Sequence, residues 1–126
     1  MPLVRIELPK GKPPQHRRAI ADIVYATMLE VMKVPQGDRF QILAEHEPSD
    51  LIIDPTYLGV ARSAEAIVIQ ITLNEGRSLE LKQAFYKALA DRLHEGAGLR
   101  REDVFVNLVE VKKENWSFGN GVAQYA

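Results

Sequence analysis

Proline at position 2 is the residue with the most unusual chemistry in this 126-residue chain. If the initiator methionine is removed, Pro2 carries a free secondary amine. Burial or neighbouring cations lower its pKa and make it a base near neutral pH, whereas a nearby carboxylate keeps it protonated as an acid. The same nitrogen can attack a carbonyl and form an iminium. Many chains begin Met-Pro without using it, so the position needs support from the rest of the sequence. The three histidines, His16, His46 and His94, have no metal-ligand spacing. His16 and His94 are expected on solvent-facing helix positions, and His46, between two glutamates, reads as structural. No phosphate-cradling glycine loop, serine-centred elbow or zinc motif is present, so no metal or other cofactor is expected.

Composition narrows the classes further. There is no cysteine, which excludes disulfides, thiolate nucleophiles and cysteine-bound metal centres. A formal net charge of −1 gives no broad attraction to nucleic acid or to an anionic membrane. No apolar run approaches the roughly 18–20 residues that span a bilayer. The start, Met1-Pro2-Leu3-Val4-Arg5-Ile6, lacks the basic and apolar regions of a signal peptide. The expectation is one domain over 1–126, cytoplasmic, with its function in a small site or a partner-binding surface.

The elements that must position such a site come from an internal repeat. Offsetting the chain by 65 residues aligns positions 3–45 with 68–110 without gaps, with nine identities in 43, among them Gly11/Gly76, Asp38/Asp103, Phe40/Phe105 and Glu45/Glu110. Chance would give roughly two or three. Each half reads strand, helix, strand. Val4, Ile6 and Leu8 alternate with Arg5 and Glu7, the period of a half-buried strand. Pro13 and Pro14 suit the first turn of a helix running to about Lys33, with Ile20, Ile23, Val24, Thr27, Met28 and Val31 on one face. Residues 39–46 are the next strand. In the second half Ala66–Leu73 is a strand, Ser78 an N-cap, Phe85, Ala88, Leu89 and Leu93 a helix face, Gly96 and Gly98 its end, and Val104–Val111 the last strand. Helices between paired strands imply parallel βαβ crossovers. Two of them predict an α+β two-layer sandwich, a four-stranded sheet with both helices on one face. Its open face would expose enough apolar surface to require oligomerisation. Residues 48–65, with β-prone runs at Leu51–Ile53 and Tyr57–Val60, and the turn-rich tail 112–126 lie outside the repeat.

Proline at position 2 leading into a duplicated βαβ sheet resembles the tautomerase superfamily. Val34-Pro35-Gln36-Gly37-Asp38-Arg39-Phe40-Gln41-Ile42, Glu45-His46-Glu47, Leu58-Gly59-Val60-Ala61-Arg62, Gln83-Ala84-Phe85-Tyr86-Lys87 and the tail Asn115-Trp116-Ser117-Phe118-Gly119-Asn120-Gly121-Val122-Ala123-Gln124-Tyr125 narrow the likeness to its malonate semialdehyde decarboxylase-like branch. The resemblance spans nearly the whole chain. It implies an amino-terminal proline catalyst, a homotrimer, no cofactor and a small oxo-acid substrate. It makes Asp38 the carboxylate that holds the amine protonated or orients a water, although Asp103 at the equivalent position also allows a plain turn or loop cap. It makes Arg77 the ligand of a substrate carboxylate, a task suited to the planar guanidinium fork. Trp116 and Phe118 become the apolar wall that strengthens that attraction. The family carries a pair of arginines separated by one residue, and here only Arg77-Ser78 matches; Asn74-Glu75-Gly76 precede it, with one apparent insertion. Tautomerisation and decarboxylation therefore stand level. Two alternatives are a non-catalytic ferredoxin-like binding or regulatory module and a family member retained as an inactive structural oligomer. The roughly 20 residues between the halves argue against the ferredoxin-like arrangement, which joins them by a tight hairpin.

Overall fold

A computed structural model describes residues 2–126; the expected removal of Met1 lies outside the described residues. The chain runs β1 (Leu3–Pro9), α1 (Pro14–Val31), β2 (Gln41–His46), β3 (Ile67–Asn74), α2 (Leu79–Ala97) and β4 (Val104–Val111). Single 3-10 turns occupy Tyr57–Gly59, Arg101–Asp103 and Lys113–Asn115. The four strands form one sheet in the order β2-β1-β3-β4. β1 and β2 are parallel, as are β3 and β4, and the two pairs meet through antiparallel β1 and β3.

The repeat is built into this register. Arg5 pairs with Gln70, which is its own counterpart 65 residues on, so a pseudo-twofold axis passes between them. Pairing of Val4 with Gln41 is matched by Ile69 with Val106. One ion pair is also duplicated: Arg17 meets Glu45 at 2.9 Å, and their counterparts Lys82 and Glu110 meet at 2.7 Å.

Alternation puts Val4, Ile6 and Leu8 of β1 and Ile67, Ile69, Ile71 and Leu73 of β3 into one core. The helices supply Ile20, Val24 and Met28 from α1 and Phe85, Leu89 and Leu93 from α2, which are equivalent positions in the two halves. Both helices therefore cover one face, as the pattern requires. The opposite face carries Arg5, Glu7, Ile42, His46, Gln70, Phe105 and Val109, with Ile42, Phe105 and Val109 exposed. Among the described residues, no helix is long and apolar enough to cross a membrane.

Pro14 opens α1, and Ser78 caps α2 by accepting a hydrogen bond from Leu81 N at 3.2 Å. α1 stops at Val31, short of Lys33, because Lys33 adopts the left-handed conformation at φ 59° that ends the helix. Its counterpart Gly98 does the same at φ 69°. Gly96 lies inside α2, where it lets Ile23 of α1 approach: a Cβ there would sit 2.8 Å from Ile23 Cδ1. The β-prone runs in 48–65 join no sheet. Leu51–Ile53 lies beyond the end of β2, and Tyr57–Gly59 turns because Leu58 is left-handed and Arg62 Nη1 donates to the carbonyls of Asp54, Tyr57 and Val60. His94 is exposed as expected, whereas His16 is half-buried in a cleft with Leu8, Pro9 and Ile67. His46 pairs with Glu7 at 2.9 Å on the open face.

Candidate active site

Sheet topology carries the dispersed candidates to one end of the molecule. Pro2 is buried at the entrance to β1. Val4 N donates to Phe40 O at 2.9 Å, so the segment 38–40 runs beside that entrance on one side. On the other side, antiparallel pairing of Leu3 with Thr72 places the end of β3 there. The starts of β1 and β2 and the ends of β3 and β4 thus form a single rim.

Asp38 stands on this rim, 7% exposed, in a turn closed by its own N–H donating to Pro35 O at 3.2 Å. Gly37 gives that turn a φ of 87°, which glycine adopts without strain, and its N–H donates to the Tyr25 hydroxyl at 2.8 Å. Beyond β3, Gly76 at φ 121° swings the chain so that Arg77 precedes the α2 cap. Arg77 Nη1 donates to Asn74 O at 3.1 Å. Its Nε is buried and has no hydrogen-bond partner among the described residues. Glu110 is held below the ordinary carboxylate range, chiefly by the Lys82 hydrogen bond, with the Gly76 N–H and the Arg77 charge contributing.

Asn74 also fixes the aromatic wall. Its Oδ1 accepts from Trp116 Nε1 at 2.7 Å. Trp116 stacks on Phe118 with ring centroids 5.4 Å apart and planes 13° apart. Phe118 in turn stacks on Phe40 at 6.0 Å and receives Tyr125 edge-on at 5.4 Å. Gln124 pins the tail, accepting from Phe118 N and donating to Gly119 O. A cleft of about 400 Å³ opens beside this wall, lined by Asn74, Glu75, Lys112, Lys113 and Tyr125. A wider cleft of about 630 Å³ between α1 and β2 is lined by Arg17, Arg18 and Arg39, which pair with Glu45 and Asp22. Among the described residues no group of three or more His, Cys, Asp or Glu could hold a metal ion.

Pro2, Asp38, Arg77, Trp116 and Phe118 therefore share one end of the sheet. Four residues on the same rim had no assigned role in the sequence: Asn74, Phe40, Gln124 and Tyr125. The last three lie within the segments that carry the family resemblance. Asn74 stands where the arginine pair is interrupted, and that interruption was the signal.

Comparison with known proteins decides the family. A family model described as "Tautomerase enzyme" matches residues 38–119, and a second of the same description matches residues 2–61. The chain belongs to the tautomerase family. Probable tautomerase YusQ of Bacillus subtilis (strain 168) is 40% identical over 124 residues, covering 98% of both chains. Among solved structures, FG41 malonate semialdehyde decarboxylase inhibited by 3-bromopropiolate is 41% identical with a TM-score of 0.91, covering 98% of this chain and 93% of its own. Within that family the chain lies on the malonate semialdehyde decarboxylase-like branch. A fused 4-OT symmetric trimer, 23% identical over 98% of this chain and 97% of its own, shares the fold at a TM-score of 0.79.

Proposed function

We propose that this tautomerase uses Pro2, unmasked by loss of Met1, as the acid or base in proton transfer on a small 2-oxo or 3-oxo acid. The observation that carries this reading is the shared rim: a buried proline at position 2, a buried carboxylate at Asp38, a guanidinium at Arg77 and a stacked aromatic wall. Arg77 grips the substrate carboxylate in its fork. The Trp116–Phe118 wall excludes water, which strengthens that attraction.

In its neutral form the Pro2 amine carries a proton between the enol oxygen and the neighbouring carbon, which is keto–enol tautomerisation. Protonated, it polarises the substrate carbonyl so that the electrons of a breaking C–C bond have an acceptor. A 3-oxo acid then loses carbon dioxide, and the enol collects a proton at carbon. Asp38 biases the amine toward the protonated form. A single arginine holds the carboxylate less firmly than a pair, which favours tautomerisation. Both reactions begin from one bound geometry.

We also place the chain in a homotrimer closed through the open sheet face. The exposed Ile42, Phe105 and Val109 support this, as does the trimeric assembly of the fused 4-OT relative.

The test is intact mass of untagged protein before and after incubation with 3-bromopropiolate, the compound that inhibits the FG41 decarboxylase. Loss of Met1 and one adduct mapped to Pro2, absent from Pro2→Ala, supports the reading. A free Pro2 that takes no adduct overturns it.

A further inference from the structure

The pseudo-twofold axis that relates the two halves also relates the two ends of the sheet. At the end opposite the candidate active site, Asp103 stands for Asp38, Lys12 for Arg77 and Pro9 for Asn74, with Ile67 just before the second repeat as Pro2 is before the first. Leu51 and Ile53 lie outside the repeat, in the segment that follows β2 as the aromatic tail follows β4. Pro9, Leu51 and Ile53 line a pocket of about 230 Å³, completed by Pro48, Ser63 to Ala66 and the rim residue Lys10. Lys12 stands in an adjoining cleft that shares Pro9 and Glu65 with it.

We infer that this pocket is a second, non-catalytic binding site for a small monocarboxylate with an apolar tail. Ile67 contributes only a peptide nitrogen inside the chain, so this end has no basic amine and cannot repeat the proline chemistry. Asp103 is committed to structure: Ser63 N donates to its Oδ1 at 2.7 Å and the Ser63 hydroxyl to its Oδ2, which fixes the wall at 63–66. What remains at this end is Lys10 on the pocket rim, Lys12 in the adjoining cleft at the Arg77 position, and an apolar lining. Leu51 and Ile53 are aliphatic where the tail at the other end is aromatic, so the pocket offers a lining without a stacking surface. Its volume equals that of about eight waters, enough for a short branched acid.

The charges permit exchange. Lys10 meets Glu47 at 2.9 Å and Lys12 meets Glu65 at 3.2 Å, and all four side chains are about half exposed. Exposed pairs of this kind hold their partners weakly. A ligand carboxylate can therefore take the place of either glutamate while its tail displaces water from the proline and aliphatic lining.

The experiment is a titration of 15N-labelled protein with 3-methylbutanoate, an acid with no oxo group, followed residue by residue in NMR spectra. Saturable shifts at the amides of Lys10, Ile53, Ala64 and Ala66 support the inference. The double variant Lys10→Ala/Lys12→Ala should weaken that response about tenfold, and Ile53→Trp, which fills the pocket, should abolish it. Retained dispersion of the remaining amides shows that these variants fold. Shifts confined to the Pro2 and Arg77 end overturn the inference, as does no response at tens of millimolar. An equal response to neutral 3-methyl-1-butanol also overturns it, because the lysines would then play no part. None of these readouts depends on Pro2 being reactive, so the inference can fail while the proposed activity stands, and the reverse.

Discussion

At the scale of single residues, Asn74 is the junction of the site. Its backbone carbonyl receives Arg77 and its side chain receives Trp116. Removing the side chain leaves a half-buried indole N–H without its acceptor, which costs about 1–3 kcal/mol. Trp116 is the only tryptophan, so its emission reports on the wall directly. Asn74→Ala is expected to shift that emission to the red and raise KM for an oxo acid severalfold; Asn74→Asp, which keeps the acceptor, should restore the emission. If Arg77 holds the substrate carboxylate as proposed, Arg77→Ala removes at least one charge-assisted bond worth about 1.5–3 kcal/mol, so kcat/KM should fall at least about tenfold. The Asp38 role is tested by pH. A carboxylate near an amine raises the amine's pKa, so if Asp38 acts on Pro2 as proposed, Asp38→Asn should move the limb of the rate profile that reports Pro2 toward acid. An unmoved limb would leave Asp38 as a turn residue like Asp103.

At the scale of elements, the two halves are a natural control on each other. Lys33 and Gly98 end α1 and α2 with the same left-handed turn, closed by Val34 N donating to Met28 O and Leu99 N donating to Leu93 O. Lys33 bears a Cβ strain that Gly98 does not, and its side chain is exposed. Lys33→Gly should therefore raise stability by up to about 1 kcal/mol, read as a higher Tm. At the far end of α2, Lys87 and Arg101 hold the Asp91 carboxyl down to about 2. A depressed carboxyl stabilises the fold above its unfolded value near 4 and loses that contribution as pH falls toward 2. Asp91→Asn should accordingly lower Tm at pH 7 and match the parent near pH 2. Which elements form was legible, because alternation in β1 and β3 and the apolar faces of the helices are local patterns, and the repeat doubled each signal. Pro2 was legible as chemistry, and the resemblance supplied the roles expected of Asp38, Arg77, Trp116 and Phe118. The role of Asn74 was not, since its bond to Trp116 joins residues 42 apart and depends on where the tail folds back. Nor was the fate of Leu51–Ile53, whose strand propensity is local while the sheet edge that could use it ends at His46.

At the scale of the whole molecule, the proposed assembly turns on the open face of the sheet. Ile42, Phe105 and Val109 are exposed there, while buried Glu7 Oε2 has no hydrogen bond among the described residues and only a long ion pair to Arg5 Nε at 4.0 Å. A face that mixes exposed apolar groups with an acceptor so weakly served is poorly suited to water and well suited to a protein surface that brings donors. Three chains of 14.2 kDa give a particle of about 43 kDa, which sedimentation velocity should find for the parent. Val109→Lys places a charge in that face without touching the core, because its neighbours Leu108, packed on the core, and Glu110, paired with Lys82 of α2, lie on the helix side of the sheet. It should sediment near the monomer mass with an unchanged far-UV spectrum. A variant that remains at the parent mass would move the interface elsewhere. The dissociated chain also separates assembly from chemistry. Pro2, Asp38, Arg77, Trp116 and Phe118 all come from one chain and are positioned by its own strand ends, so Val109→Lys should still take one 3-bromopropiolate adduct at Pro2. Loss of labelling in a folded monomer would mean that a neighbouring subunit completes the pocket.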